Sequence, residues 1–303
     1  MTLSVYSINL HGMADHDLPA FLGAVMSRRP DVCCLQGSGS QVSRAATLIS
    51  GAAPSPVQVR QAKEKEEDSV AVVPLGPPCA RGRAEGEGGP AGVQGRGWVQ
   101  GTGWVQADLI SPQGYGITMV SLSVPGPDGL SPSEVPVHPA GSPRADFLAR
   151  AQDRLRLLQT EAAGGGRQAV VCGGFDMVHT ALDQGGPEAV STGGSAVASQ
   201  LEGDRSGLSA DSSPARRPAR EREEAAWMDR VFEEGEFVDV VRDMAGPVPG
   251  LYTAWQGGRG RRVDAQCVTP ELAWSATGFL LIPPGFGRKA WRGHAAVGVT
   301  YEV

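Results

Sequence analysis

The sequence contains no apolar run approaching the ~18 residues that a membrane-spanning helix needs, so neither a helical span nor a membrane partner is expected. Nor is there a surplus of positive charge: 27 Lys and Arg against 33 Asp and Glu leave a net charge of −6 and a pI near 5.5. That balance excludes a protein that coats nucleic acid through a broad basic surface, while leaving room for a local phosphate-binding groove. The cysteines Cys33, Cys34, Cys79, Cys172 and Cys267 lack the spacing of a zinc site. Odd in number and mostly set in apolar strand-like runs, they read as buried free thiols in a reducing compartment. The opening residues Met1-Thr2-Leu3-Ser4-Val5 have neither the basic-then-apolar layout of a signal peptide nor the Arg-rich character of a transit peptide. An intracellular location is expected, with nucleus, cytoplasm and organelle undistinguished. The glycine-rich stretches lack the spacing of a nucleotide loop.

What is present suits an α/β protein. The chain has 303 residues, 41% hydrophobic and 20% charged, enough apolar material for one large domain. Its 42 glycines and 23 prolines cluster, which marks surface insertions on an ordinary core. Leu3 to Leu10 alternates like a strand, Asp17 to Arg28 has helical spacing, and Val32 to Leu35 is a short buried-strand run. Strands are expected at 57–60, 70–73, 104–110, 117–124, 169–172, 263–268, 279–282 and 297–303, with helices over 144–161 and 223–233. Gly164-Gly165-Gly166 is a helix stop. The polar stretches 76–103 and 184–222 read as flexible insertions in one domain over 1–303; the first carries most of a near-repeat at 95–100 and 101–106.

Several short motifs fall in a familiar order. Ser7-Ile8-Asn9-Leu10-His11-Gly12 is similar to an opening "S-x-N-x-N-G", and Pro30-Asp31-Val32-Cys33-Cys34-Leu35-Gln36 to "P-D-v-x-x-L-Q-E". Val171-Cys172-Gly173-Gly174-Phe175-Asp176-Met177-Val178-His179-Thr180 is similar to "G-D-x-N-x-x-x-T". Trp227-Met228-Asp229-Arg230 leads to Phe237-Val238-Asp239, Tyr252-Thr253 and Arg262-Val263-Asp264; Gly293-His294-Ala295-Ala296-Val297 stands for a terminal "S-D-H-x-P-V". Together they resemble the exonuclease III and abasic (AP) endonuclease branch of the endonuclease/exonuclease/phosphatase family.

The resemblance implies a four-layer α/β sandwich, two packed mixed β-sheets flanked by helices, with a site where loops of both sheets converge. It also implies a catalytic set that this chain largely lacks. The family's metal-binding glutamate falls on Gly37, its water-orienting aspartate on Gly174, its tyrosine on Ser123, and the aspartate of its terminal motif on Gly293. Asn9, Asp264 and His294 persist, and Asp176 takes the place of an asparagine. An Asp–His pair fixes an imidazole tautomer and raises its basicity, but hydrolyses nothing alone. Phosphodiester cleavage also needs charge neutralisation and a positioned water, and magnesium prefers oxygen ligands.

The expected function is therefore that of a catalytically impaired pseudoenzyme, without cofactor, retained to bind DNA, RNA or a protein partner. One alternative is a divergent AP endonuclease or 3′-exonuclease of DNA base excision repair using Asn9, Asp176, Asp264 and His294 with Mg2+ or Mn2+, where Asp176 is a metal ligand and a backbone carbonyl or Asp15 or Asp17 fills in. Another is a structural subunit of a larger assembly. Arg259, Arg261 and Arg262, in the loop before Asp264, are the expected nucleic-acid contacts. His11 and His179 are candidate neighbours of the site, or solvated loop histidines. Trp98 and Trp104 stack on a base or belong to the core. Arg216, Arg217, Arg220 and Arg222, diluted by Glu221, Glu223 and Glu224, read as a solvated segment.

Overall fold

Strand β1 (Thr2–Asn9) has two faces, and each is buried against a different layer. Leu3 and Val5 point into a core between two sheets, whereas Tyr6 and Ile8, with Leu10 just beyond, point into a core under helices. Period-two alternation with both faces apolar is what a strand needs when it is covered on both sides. The computed structural model describes residues 2–50, 68–75, 103–110, 115–125, 143–185, 219–234, 237–256, 259–284 and 293–303. The expected strand at 57–60, the repeat at 95–102, Trp98, Cys79, Arg216, Arg217 and nearly all of the two expected insertions lie outside them.

Helix α1 (Leu18–Met26) buries Leu18, Phe21, Leu22 and Val25, and Asp17 stands at its N-cap without a side-chain capping bond. Next come β2 (Val32–Ser38), α2 (Gly39–Ser50) and β3 (Asp68–Pro74). The sequence predicts no helix over 39–50, because small and polar residues dilute the pattern. Yet Val42, Ala45, Ala46 and Ile49, at i, i+3, i+4 and i+7, are all buried on it. Strands β4 (Trp104–Ile110) and β5 (Gly116–Ser123), helix α3 (Pro143–Ala163) and β6 (Gln168–Gly174) form the next unit. The glycine stop ends α3 as expected, the Gly166 N–H donating to the Glu161 carbonyl at 2.9 Å. Helix α4 (Ala219–Asp229) runs into one π-type turn (Arg230–Glu234). Then follow β7 (Val238–Asp239), α5 (Val240–Ala245), β8 (Ala254–Gln256), β9 (Arg259–Arg261), β10 (Asp264–Val268), α6 (Pro270–Ala273), β11 (Ala276–Ile282), β12 (Gly293–His294) and β13 (Ala296–Glu302).

Two mixed sheets result, in the orders β11-β13-β1-β2-β3 and β4-β5-β6-β10-β7, with a small sheet β12-β8-β9. Their facing sides bury Val5, Val32, Cys34, Met119, Val170, Val268 and Val299 in one core. The outer side of the first sheet is covered by α1 and α2, that of the second by α3 and α4. This is the expected four-layer sandwich. Cys33, Cys34, Cys172 and Cys267 are buried and free, and burial pushes the Cys33, Cys172 and Cys267 thiols up. Trp104 packs in the core under α3 and is not a base-stacking platform. Among the described residues no helix is long and apolar enough to cross a membrane.

Candidate functional site

The core between the sheets is apolar along most of its length and turns polar at one end. The change starts where Ser7 donates to Gln36 Oε1 (3.4 Å) and Gln36 Nε2 reaches across to Ser121 Oγ (2.9 Å). Beyond it, strand register decides which residues meet. Ser123 on β5 is paired with Gly174 on β6, and Gly174 with Asp264 on β10, so these form one row on the second sheet. Asn9, at the end of β1, faces that row from the first sheet. Its Nδ2 donates to Asp264 Oδ1 at 2.8 Å, and its Oδ1 accepts the His11 N–H at 3.0 Å.

Asp264 is 2% exposed, so its carboxylate must be satisfied from within. Its second oxygen, Oδ2, lies 2.6 Å from His294 Nδ1. Thr253 braces the arrangement, its Oγ1 accepting the N–H groups of Val263 and Asp264, while its carbonyl accepts the N–H of Ala295. Burial alone lowers the His294 pKa, but the charge and hydrogen bond of Asp264, with the charge of Asp176, outweigh it and raise the pKa; Arg261 opposes them. The Nδ1 contact to a carboxylate places a proton on that nitrogen and leaves Nε2 for a ligand.

Asp176 sits just past β6 with φ 49, a left-handed backbone uncommon for aspartate. Its carbonyl lies 3.4 Å from Arg144 Nη2. Arg144, 1% exposed, is held by Glu224 through Nε and Nη2 and donates Nη1 to the Pro125 carbonyl.

No family model matches the sequence, and no curated protein matches it. Solved structures do. The AP endonuclease LMAP from Leishmania major superposes with a TM-score of 0.63 at 16% identity, over 100% of this chain and 88% of that one. An AP endonuclease from Archaeoglobus fulgidus gives 0.57 at 16% identity, over 99% of this chain and 100% of that one. The 3′ phosphatase NExo from Neisseria, bound to product DNA hairpin, gives 0.60 at 14% identity, over 99% and 100%. This chain has the AP-endonuclease fold.

Within that exonuclease III-like sandwich, the structure brings together Asn9, Asp264, His294 and Gly174, all named from the sequence. Ser123, 2% exposed, is buried beside Gly174, and Gly293 immediately precedes His294. Gly174 is more than a missing acid. A Cβ there would lie 2.4 Å from Asn9 Nδ2 and 3.3 Å from Asp264 Oδ1, so the amide of Asn9 already occupies the space. Gly37 has φ +151, where any side chain is strained, and a Cβ would meet Leu10 Cβ at 3.0 Å.

Among the described residues, the side chains of this site do not assemble a full set of metal ligands. Gly37 and Gly174 supply no side-chain oxygen, and Asp264 is committed on both oxygens. Asp176 then remains as a single carboxylate, and the described residues contain no group of three or more His, Cys, Asp or Glu that could hold a metal ion. Asp15 pairs instead with Arg44 (3.4 Å) and Asp17 with His16 (3.5 Å), with both acids well exposed.

Arg262 needs correction as a nucleic-acid contact. It is 6% exposed and grips Asp239 with both terminal nitrogens at 2.6 Å, in a cluster with Asp183 and Arg242. Arg261 is half-buried on β9, and the side chain of Arg259 lies outside the described residues. Sequence reading also missed the partner of His179, whose Nε2 is 2.7 Å from Asp229 Oδ1 and whose ring lies 5.4 Å from that of Phe232. Asp229 stood in a quoted motif, but only the fold shows that α4 ends beside the loop after Asp176. His11 is set by its own N–H on Asn9.

Proposed function

We propose that this protein is an exonuclease III-like nucleic-acid-binding module that recognises phosphate through His294, which Asp264 and Asn9 hold in place, and does not cleave it by metal-dependent chemistry. The packing of Gly174 carries the reading. Where a water-orienting acid would stand, Asn9 is closed onto Asp264, so the site is remodelled around a hydrogen bond and not merely emptied. Removing one positioned acid or base typically costs about 10²–10⁴-fold in rate, and a metal contributes several kcal/mol more. With both the ligand at Gly37 and the acid at Gly174 absent, little hydrolysis is expected. The imidazole edge of His294 remains suited to a phosphate oxygen. The structural likeness to AP endonucleases and a DNA-bound phosphatase supports nucleic acid as the ligand class.

A divergent metal-dependent AP endonuclease or exonuclease is the second reading, favoured by Asp176. Its left-handed backbone and its charge beside His294 are features that cluster at functional sites. Incision of a duplex carrying a single abasic site, with magnesium or manganese against a chelator, separates the two. No metal-dependent incision is expected. Incision by the wild type that disappears in Asp176→Ala would overturn the non-cleaving reading and identify Asp176 as a metal ligand.

A further inference from the structure

The first sheet ends on one side at β11, which pairs with β13 and with no other strand among the described residues. An edge strand offers a row of backbone N–H and C=O groups to any strand that can reach it. Charged side chains commonly guard such an edge, yet no charged residue occurs between Leu272 and Pro284. Only the two ends of β11 are guarded. A register shift between Ala276 and Gly278 interrupts pairing at the start, and Pro283-Pro284 stops it at the end. The open stretch is therefore Phe279–Ile282. Phe279 and Leu281 lean on the core between the sheets and Leu280 on the helix-covered core, but all three stay partly exposed. Just before this strand stands Trp274, 86% exposed and the most exposed large apolar side chain among the described residues. It lies outside all three apolar cores.

We infer that β11 is the contact strand of a homodimer, pairing antiparallel with β11 of a second copy of this chain across a two-fold axis. Antiparallel pairing sets the start of one strand against the end of the other, so each Trp274 packs on the Pro283-Pro284 segment of the other copy. The contact is self-complementary and one partner uses up the edge, so the assembly closes at two. Charge favours a second copy at this place. With a net charge of −6, two copies repel each other over most of their surface, and a neutral strip is where they approach at least cost. The same neutrality excludes nucleic acid as the occupant, because the strip offers no cation to phosphates. Two exposed tryptophans bury roughly 300–500 Å², a large part of the ~1,200 Å² at which stable interfaces begin. The rest has to come from two short strand edges, so the dimer is a weak one with a micromolar Kd.

The test is sedimentation velocity of the full chain between about 1 and 200 μM, a range that brackets a micromolar Kd. Hydrogen exchange is read at the same concentrations. A monomer–dimer equilibrium is expected, with the amides of Phe279–Ile282 gaining protection as the dimer fills. Trp274→Lys, at a side chain too exposed to matter for folding, should weaken the dimer about tenfold or more, the cost of losing an aromatic anchor. Leu280→Lys should abolish it; should that variant fail to fold, the wild type and Trp274→Lys still decide. A wild type that is monomeric throughout overturns the homodimer, as does a dimer that Trp274→Lys leaves intact. Protection of the same amides in a chain that stays monomeric would put another segment of this chain on the edge, and overturns it too.

Discussion

Two buried polar clusters flank the β9–β10 segment, and they differ in how completely their charges are used. In one, Asp239 and Asp183 face Arg262 and Arg242, and every charge has an opposite neighbour. Thr180 closes the remaining Asp183 oxygen with its N–H and its hydroxyl, both at 2.9 Å. In the other, Asp264 is fully used by Asn9 and His294, while the imidazole keeps a second nitrogen and Asp176 lies alongside. The closed cluster fastens β7, α5 and the turn at Ala181–Asp183 to the sheet. The open one leaves the second ring nitrogen of His294 for the proposed phosphate contact.

Mutation of the closed cluster should have the largest effect. Asp239→Ala leaves the buried Arg262 without its bidentate partner and is expected to cost about 3–5 kcal/mol in chemical denaturation. A loss under 1 kcal/mol would mean that water reaches Arg262 and that the contrast with the open cluster is false. Next comes Gly174→Asp, whose Cβ would meet Asn9 Nδ2 at 2.4 Å. Overpacking of this kind typically costs about 1–3 kcal/mol. In the Asn9→Ala background the same change should cost measurably less, so the two losses are non-additive. Additive losses would show that Asn9 does not occupy the site of the missing acid.

A smaller effect concerns pH. The His294 pKa is raised from its ordinary 6.5 by folding, so the contribution of its pairing with Asp264 is fully present below that value. It is lost as pH rises through the raised folded value. His294→Gln should remove this part of the pH dependence, and Asp264→Asn should lower the imidazole pKa in an NMR titration. An unchanged imidazole pKa in Asp264→Asn would contradict the pairing. Smallest of all is Trp104→Phe. The Nε1 of Trp104 is buried with no hydrogen-bond partner among the described residues, so removing it should change stability by no more than about 1 kcal/mol.

The class of fold was legible because β1 alternates and β2, β5 and β6 carry short apolar runs, with glycine and proline between the elements. Asn9, Asp264 and His294 were legible because each sits in a short motif at a strand end. Helix α2 escaped because Val42, Ala45, Ala46 and Ile49 form a narrow stripe in a polar segment. The β8–β9 hairpin escaped because its strands have three residues each, Ala-Trp-Gln and Arg-Gly-Arg, too short to show a period. Nothing local distinguishes Arg261 from Arg262; only the register of β9 and the position of Asp239 send one outward and the other in. The occlusion at Gly174 is likewise a fact of two sheets meeting, 165 positions apart in sequence between Asn9 and Gly174.

The most direct test of a phosphate-recognising site that works without a metal is DNA binding by the wild type in chelator and in magnesium, beside His294→Ala. The same affinity is expected in both conditions, falling about tenfold or more in His294→Ala, the worth of a lost charge-assisted contact. Binding that needs magnesium, or that is indifferent to His294, would contradict the account.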